Sequence, residues 1–167
     1  DKKRSVIQVP QLDSVTNQIG ESSVGLPPAK LYQYNMNDYE ELPLTSIEQI
    51  AETVKHRPKD GVTWIDIEGK LDKNTADQLG NIFGLHELEL EDMVNLYQRP
   101  KVEEYHNHLF MVSRMLYYNK LDSTLINEQV SFFVFENLLL TVQEEDEDAF
   151  DPVREKLRKS KANLRSG

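Results

Sequence analysis

The sequence predicts an α/β (α+β) domain, with a mixed, largely antiparallel β-sheet flanked by helices on both faces. Two observations predict this fold class. In the first half of the chain, helical patterns alternate with a strand, and in the second half three apolar strands follow one another through short connections. Helices interspersed with strands favour a layered α/β/α sandwich. Short connections favour antiparallel neighbours.

The first half contains two predicted helices on either side of a strand. The stretch Thr45–Glu48 has the form of a capping box, and the helix after it must end before Pro58. Val62–Ile67 is rich in β-branched residues and lies between two glycines, which indicates a strand. The acids Asp66 and Glu68 alternate with isoleucines, so we expect them on the exposed side of the strand. A second helix is predicted over residues 74–83.

The second half is predicted to be a meander followed by a helix. Leu109–Tyr118 is an almost continuous apolar run and predicts a central strand. Ile126–Phe135 and Leu138–Val142 follow, joined by a tight connection. Asp151 and Pro152 have the form of an N-cap and a first helical residue, so they predict the start of a basic helix.

These patterns divide the chain into three parts. Residues 1–28 are polar and end in a Gly-Leu-Pro-Pro stretch, which predicts a tail or linker. Residues 29–150 form the α/β domain, and residues 151–167 begin the last helix. The chain starts with Asp1, and its helical pattern has no stop signal before Gly167. We therefore expect it to be a piece of a longer protein.

Composition narrows the possible functions. The 29 acidic residues exceed the 19 basic residues, which gives a formal charge of −10 that repels nucleic acids and attracts cations. The chain has no cysteine, which excludes disulfides and thiolate metal sites. No apolar run reaches the roughly 18 residues that a membrane helix needs, so this chain by itself is expected not to contact a membrane.

An acidic segment is the strongest candidate for a functional site. It carries carboxylates that could hold a hard divalent cation: Glu87, Glu89, Glu91, Asp92 and Glu103. A predicted helix over residues 87–97 places an apolar stripe on the core: Leu90, Met93, Val94 and Tyr97. The first-turn acids are explained by the helix dipole. The helix dipole does not explain Asp92, which is predicted to share an outward face with Leu88 and Leu96.

Other polar clusters give weaker signals. The acidic run at residues 144–148 lacks the glycine turn of a calcium loop and is typical of a solvated loop before a helix. His106 and His108 would share one face of an extended segment, but no third zinc ligand is evident. The sequence has no glycine-rich phosphate loop, G-x-S-x-G or H-E-x-x-H motif, so we predict that the protein is not an enzyme.

Several short motifs occur in a fixed order along the chain: Trp64–Gly69, Phe83–His86, Leu90–Asp92, Gln98–Glu103, Glu128–Ser131 and Phe150–Arg154. Together they resemble the N-terminal cytoplasmic domain of the CorA family of magnesium and cobalt transporters. Residues 1–60 match that family poorly. The resemblance implies that residues 151–167 begin a long stalk helix leading to two membrane helices that this sequence does not contain.

The resemblance also implies a function. CorA-family proteins are homopentameric channels whose cytoplasmic domains bind divalent cations between subunits. Carried over, Asp92 is the principal metal ligand and Glu91 a secondary one, while the partner acids lie beyond Gly167. The chain would then be the cytoplasmic part of a protein in the cell membrane, sensing intracellular Mg²⁺, or Co²⁺, and gating the pore by negative feedback. As a separate fragment it could be monomeric.

Three alternatives stay open at this point. A zinc transporter could have the same architecture. A cytosolic metal-dependent hydrolase would need convergent metal ligands within this chain. A structural interaction domain would bind no metal.

Overall fold

The computed structural model describes residues 25–145, 150–159 and 165. The strands are β1 (Ala29–Tyr34), β2 (Tyr39–Leu44), β3 (Val62–Glu68), β4 (Lys101–Glu104), β5 (Leu109–Asn119), β6 (Thr124–Val134) and β7 (Leu138–Gln143). The helices are α1 (Ile47–His56), α2 (Lys73–Phe83), α3 (Glu87–Val94) and α4 (Asp151–Lys159). The predicted tail, residues 1–28, lies mostly outside the described residues. The continuation of α4 as a stalk also lies outside them, so both stay predictions.

The strands form one seven-stranded sheet in the order β2-β1-β3-β7-β6-β5-β4. Every neighbouring pair is antiparallel except β3 and β7, which are parallel. The predicted mixed, largely antiparallel sheet is therefore confirmed. The first three strands along the chain form one side of the sheet and the last four form the other, so the parallel pair joins the two halves.

Helices cover both faces of the sheet, as predicted. Ile65 on β3 faces a core that includes Ile50 of α1, Leu79 of α2 and Met93 of α3. The adjacent residue Trp64 points to the opposite face, where its cluster includes Leu157 of α4. This division follows from the two-residue period of a strand, which sends neighbouring side chains to opposite faces.

The two edge strands, β2 and β4, were not predicted. β2 contains Pro43, which cannot donate a backbone hydrogen bond and is therefore tolerated only at a sheet edge. β4 has the sequence Lys-Val-Glu-Glu and is half exposed. An edge strand has one neighbour and little buried surface, so its sequence carries no long apolar run for a pattern to detect.

The expected exposure of Asp66 and Glu68 is wrong. The side of β3 that carries them is covered by α4, whose Arg154 binds both carboxylates and contacts Glu68 Oε1 at 3.0 Å. Thr141 Oγ1 also donates to Asp66 at 2.5 Å. Burial raises the pKa of Asp66, and the bond from Thr141 and the charge of Arg154 oppose that rise. The alternation is real, but both sides of the strand are buried.

We predict that Arg154→Met destabilises the domain by about 3–5 kcal/mol, because it leaves the buried Asp66 without a counter-charge and Glu68 with Lys30 alone. Arg158→Met is the matched control. Arg158 pairs with Glu41 at the surface, and breaking an exposed pair of this kind costs less than about 1 kcal/mol. Urea unfolding of the two variants measures the difference. Equal losses would show that Arg154 acts only through its packing.

Candidate metal site

The start of α3 is fixed by a capping box. The imidazole of His86 accepts a hydrogen bond from the N–H of Leu88, and the Glu89 carboxylate accepts one from the N–H of His86 at 2.7 Å. This arrangement satisfies N–H groups that a helix start otherwise leaves unpaired. Glu89 is fully buried. It therefore belongs to the internal structure and is not available as a surface metal ligand.

α3 ends at Val94, earlier than predicted. Met93 is buried and Leu90 and Val94 pack against the core, as the apolar stripe requires. The prediction is wrong for Tyr97, which is 93% exposed. The side chain of Asn95 accepts a hydrogen bond from the N–H of Tyr97, and such a local bond competes with helix continuation.

Gln129 of β6 holds the end of α3 against the sheet. Its side-chain amide donates to the carbonyl groups of Asp92 at 3.0 Å and Asn95 at 3.2 Å, and its oxygen accepts from the N–H of Gln98 at 3.1 Å. Gln129 is buried. Sequence reasoning assigned it no role beyond the Glu128–Ser131 motif, because its partners lie more than 30 residues away.

The Asp92 side chain lies between α3 and β4, where it forms an ion pair. Its Oδ2 is 2.5 Å from Lys101 Nζ, and the same nitrogen is 2.9 Å from Glu103 Oε1. Lys101 also lies over the ring of Phe110 at 5.5 Å. One ammonium group thus binds two carboxylates, and all three side chains are partly exposed to solvent.

The charges in this group stabilise one another. The hydrogen bond to Asp92 raises the pKa of Lys101, and the Glu103 carboxylate adds to the rise. The hydrogen bond from Lys101 in turn lowers the pKa of Glu103. Two carboxylates around one ammonium group leave a net charge of −1. The group therefore attracts a further cation.

Glu91 points away from this group. It is exposed and lines a groove of about 280 Å³ between α2 and α3. Apolar side chains of Ala76, Leu90 and Val94 line the groove together with charged groups that include Lys73 and Glu87. The structure therefore places Glu91 and Asp92 on different sides of α3.

The predicted pair of histidines on one face does not form. Tyr105 and His108 close the turn between β4 and β5, and His106 lies exposed in that turn. His108 is buried, with its Nε2 at 2.6 Å from Glu89 Oε1 and its ring stacked between Tyr105 and Phe135. A turn replaces the expected extended segment, so the two imidazoles cannot share a ligand.

In residues 25–145, 150–159 and 165, no three histidine, aspartate or glutamate side chains converge as a metal site. Asp92 is therefore at most one part of a site that other groups complete. No helix in the described part of the chain is long and apolar enough to cross a membrane.

The family model described as "CorA-like Mg2+ transporter protein" matches residues 59–167. The cobalt/magnesium transport protein CorA of Thermotoga maritima is 35% identical over 155 residues, covering 84% of this chain and 43% of the relative. The chain thus spans less than half the length of that relative.

Solved structures share the fold. The soluble domain of CorA from Methanocaldococcus jannaschii superposes with a TM-score of 0.55 at 15% identity, covering 81% of this chain and 48% of that one. The ZntB cytoplasmic domain from Vibrio parahaemolyticus gives a TM-score of 0.53 at 12% identity, covering 83% of this chain and 52% of that one.

The α/β/α fold of this chain is thus shared with the soluble domain of CorA. The chain belongs to the CorA-like Mg²⁺ transporter family. This finding confirms the resemblance drawn from the motifs. It also confirms that the chain is not an enzyme, since the family consists of transporters.

We predict that Gln129→Ala loosens the end of α3 and destabilises the domain by about 1–3 kcal/mol, the range for buried polar groups left unpaired. Amide hydrogen exchange at Asn95 should quicken, because its N–H bonds to Glu91 O within the last turn. Gln33→Ala is the control, since Gln33 is only half buried and makes one long bond of 3.4 Å to Thr63. Unchanged exchange at Asn95 would contradict the anchoring role.

Proposed function

We propose that this chain is the cytoplasmic regulatory domain of a divalent-cation transporter in the cell membrane, which senses intracellular Mg²⁺ through Asp92. The observation that carries the proposal is the pairing of Asp92 with Lys101. A carboxylate held by a partly exposed lysine has a counter-charge that a stronger cation can displace. Glu89 is fully buried, so a cation from solvent cannot displace its partner in this way.

The proposed site needs a second subunit. Mg²⁺ is usually held by one or two carboxylates together with water molecules. Asp92 supplies one carboxylate and Glu103 lies on the other side of Lys101, but no group of three acidic or histidine side chains in the described residues could enclose the ion. A carboxylate from an adjacent copy would complete the site, as expected for a homopentamer with cation sites between its subunits. Glu91, exposed one residue away, adds negative charge near that interface.

Metal binding would act on gating through charge. Without a cation, acidic interfaces repel one another, and the repulsion is only partly offset by Lys101. A bridging Mg²⁺ would displace Lys101 and draw neighbouring domains together. The closed arrangement then gains population because it binds the cation better than the open one. High intracellular Mg²⁺ would thus close the pore, which is negative feedback.

The ligand chemistry favours Mg²⁺ over zinc. Asp92, the proposed ligand, and Glu91, which adds charge nearby, offer only oxygen, which suits hard cations such as Mg²⁺. Zinc sites more often include imidazole, and His108 is already bound to Glu89. Co²⁺ also accepts oxygen ligands, and the Thermotoga relative is named for cobalt as well as magnesium transport.

The test compares two variants of the full-length protein with opposite expected effects. Mg²⁺ protection against proteolysis should need about tenfold more Mg²⁺ in Asp92→Asn, which corresponds to about 1.4 kcal/mol of lost binding. Lys101→Met should lower the concentration needed, because Asp92 then has no competing ammonium group. Protease digestion at increasing Mg²⁺ concentrations gives both midpoints.

Asp122→Asn is the matched control. It removes a carboxylate from the turn between β5 and β6, which bonds only to its own turn, so its midpoint should equal that of the wild type. If Asp92→Asn left the midpoint unchanged, Asp92 would not be a regulatory ligand. If Lys101→Met raised the midpoint, Lys101 would support the site instead of competing for it.

A further inference from the structure

Glu128 of β6 has a buried carboxylate that is only half satisfied. The residue is 1% exposed. Its Oε1 accepts a hydrogen bond from the N–H of Glu145 at 3.1 Å, whereas its Oε2 has no partner among the described residues. Leaving a buried carboxylate oxygen unpaired is costly, more so when it is charged. Such an atom is satisfied by a proton, a bound water molecule or a cation.

The groups nearest to Glu128 are also acidic. Glu144 lies against the next residue of β6, with its carboxylate accepting from the N–H of Gln129 at 3.1 Å. Together with burial, the charges of Glu144 and Glu145 raise the pKa of Glu128 to about 7. The cluster of Glu128, Glu144 and Glu145 is therefore a site of concentrated negative charge.

Positive side chains near this cluster have other partners. Arg154 binds Asp66 and Glu68. Lys70 is exposed and reaches Glu145 only at 3.9 Å. No lysine or arginine in the described residues pairs with Glu128.

We propose that Glu128 and Glu144 form a second divalent-cation site, with the hard-cation chemistry of Mg²⁺ or Mn²⁺. Glu128 Oε2 would be the buried ligand, Glu144 the second carboxylate and water molecules the rest. This arrangement needs no convergence of three side chains, because Mg²⁺ sites commonly use one or two carboxylates with water. The adjacent residue, Glu145, is about half exposed, so this end of the cluster contacts solvent.

The proposed second site is separate from Asp92. Glu128 occupies the same face of β6 as Val130, which packs with Leu157 of α4. Asp92 belongs to α3, on the other face of the sheet. An ion at Glu128 would tie β6 to the segment after β7, just before the chain enters α4. It would stabilise the domain within one chain and would need no neighbouring subunit.

The test uses Mn²⁺ as the probe with the 167-residue chain. Paramagnetic broadening in NMR spectra should be strongest at the amides of Glu145, Glu144 and Gln129. Glu128→Gln keeps the shape and the acceptor for the Glu145 N–H but removes the charge. It should weaken Mn²⁺ binding at these amides at least tenfold. Glu136→Gln, which changes an acid in the β6–β7 turn, should leave binding as in the wild type.

A second readout keeps the two proposals apart. Mg²⁺ should raise the melting temperature of the wild type and of Asp92→Asn, but not that of Glu128→Gln. Broadening that survives Glu128→Gln would place the ion on exposed acids alone and overturn the proposal, as would no broadening at these amides. If Asp92→Asn abolishes gating control but Mn²⁺ still broadens the amides of Glu145, Glu144 and Gln129, both proposed sites are supported. If Asp92→Asn leaves gating unaffected, only the proposed Asp92 site is contradicted.

Discussion

The arrangement of layers in this domain depends on one buried guanidinium group. Arg154 of α4 reaches the central part of the sheet and neutralises Asp66 and Glu68, which β3 directs to the same face. Its guanidinium also lies over the rings of Tyr32 and Trp64, at 5.4 and 5.7 Å. Without it, Asp66 would be buried under α4 with no counter-charge, and Glu68 would keep only Lys30 at 3.3 Å, so covering that face would cost much more free energy.

On the opposite face, a rigidly held helix carries the ion pair between Asp92 and Lys101. α3 is fixed at its start by Glu89, which also binds His108, and at its end by Gln129. These contacts leave the helix little freedom of position. Asp92 is therefore offered at a defined place between α3 and β4, while its partner Lys101 keeps access to solvent. Rigid support with an exchangeable counter-ion suits the cation sensing that we propose for Asp92.

Sequence patterns predicted the elements whose physics is local. Periodicity found α1, α2 and the long apolar strands, and a proline marked the end of α1. It missed β2 and β4 because edge strands bury little. It predicted Asp66 to be exposed, since only the docking of Arg154, 88 residues away, reveals that this face is covered. Asp92 could be singled out from a helical wheel, but its pairing with Lys101 depends on where β4 joins the sheet.

The parallel pairing of β3 with β7 also bears on how the chain folds. Asp66 and Thr141, which face each other across this pair, are 75 residues apart in sequence. During synthesis, β3 is made long before β7, so one edge of the early three-stranded unit stays open until most of the domain exists. Open strand edges invite pairing with other chains, and contacts between distant residues slow folding. The nascent chain is therefore most prone to aggregate while the α2–α3 and β4–β6 segments are being translated.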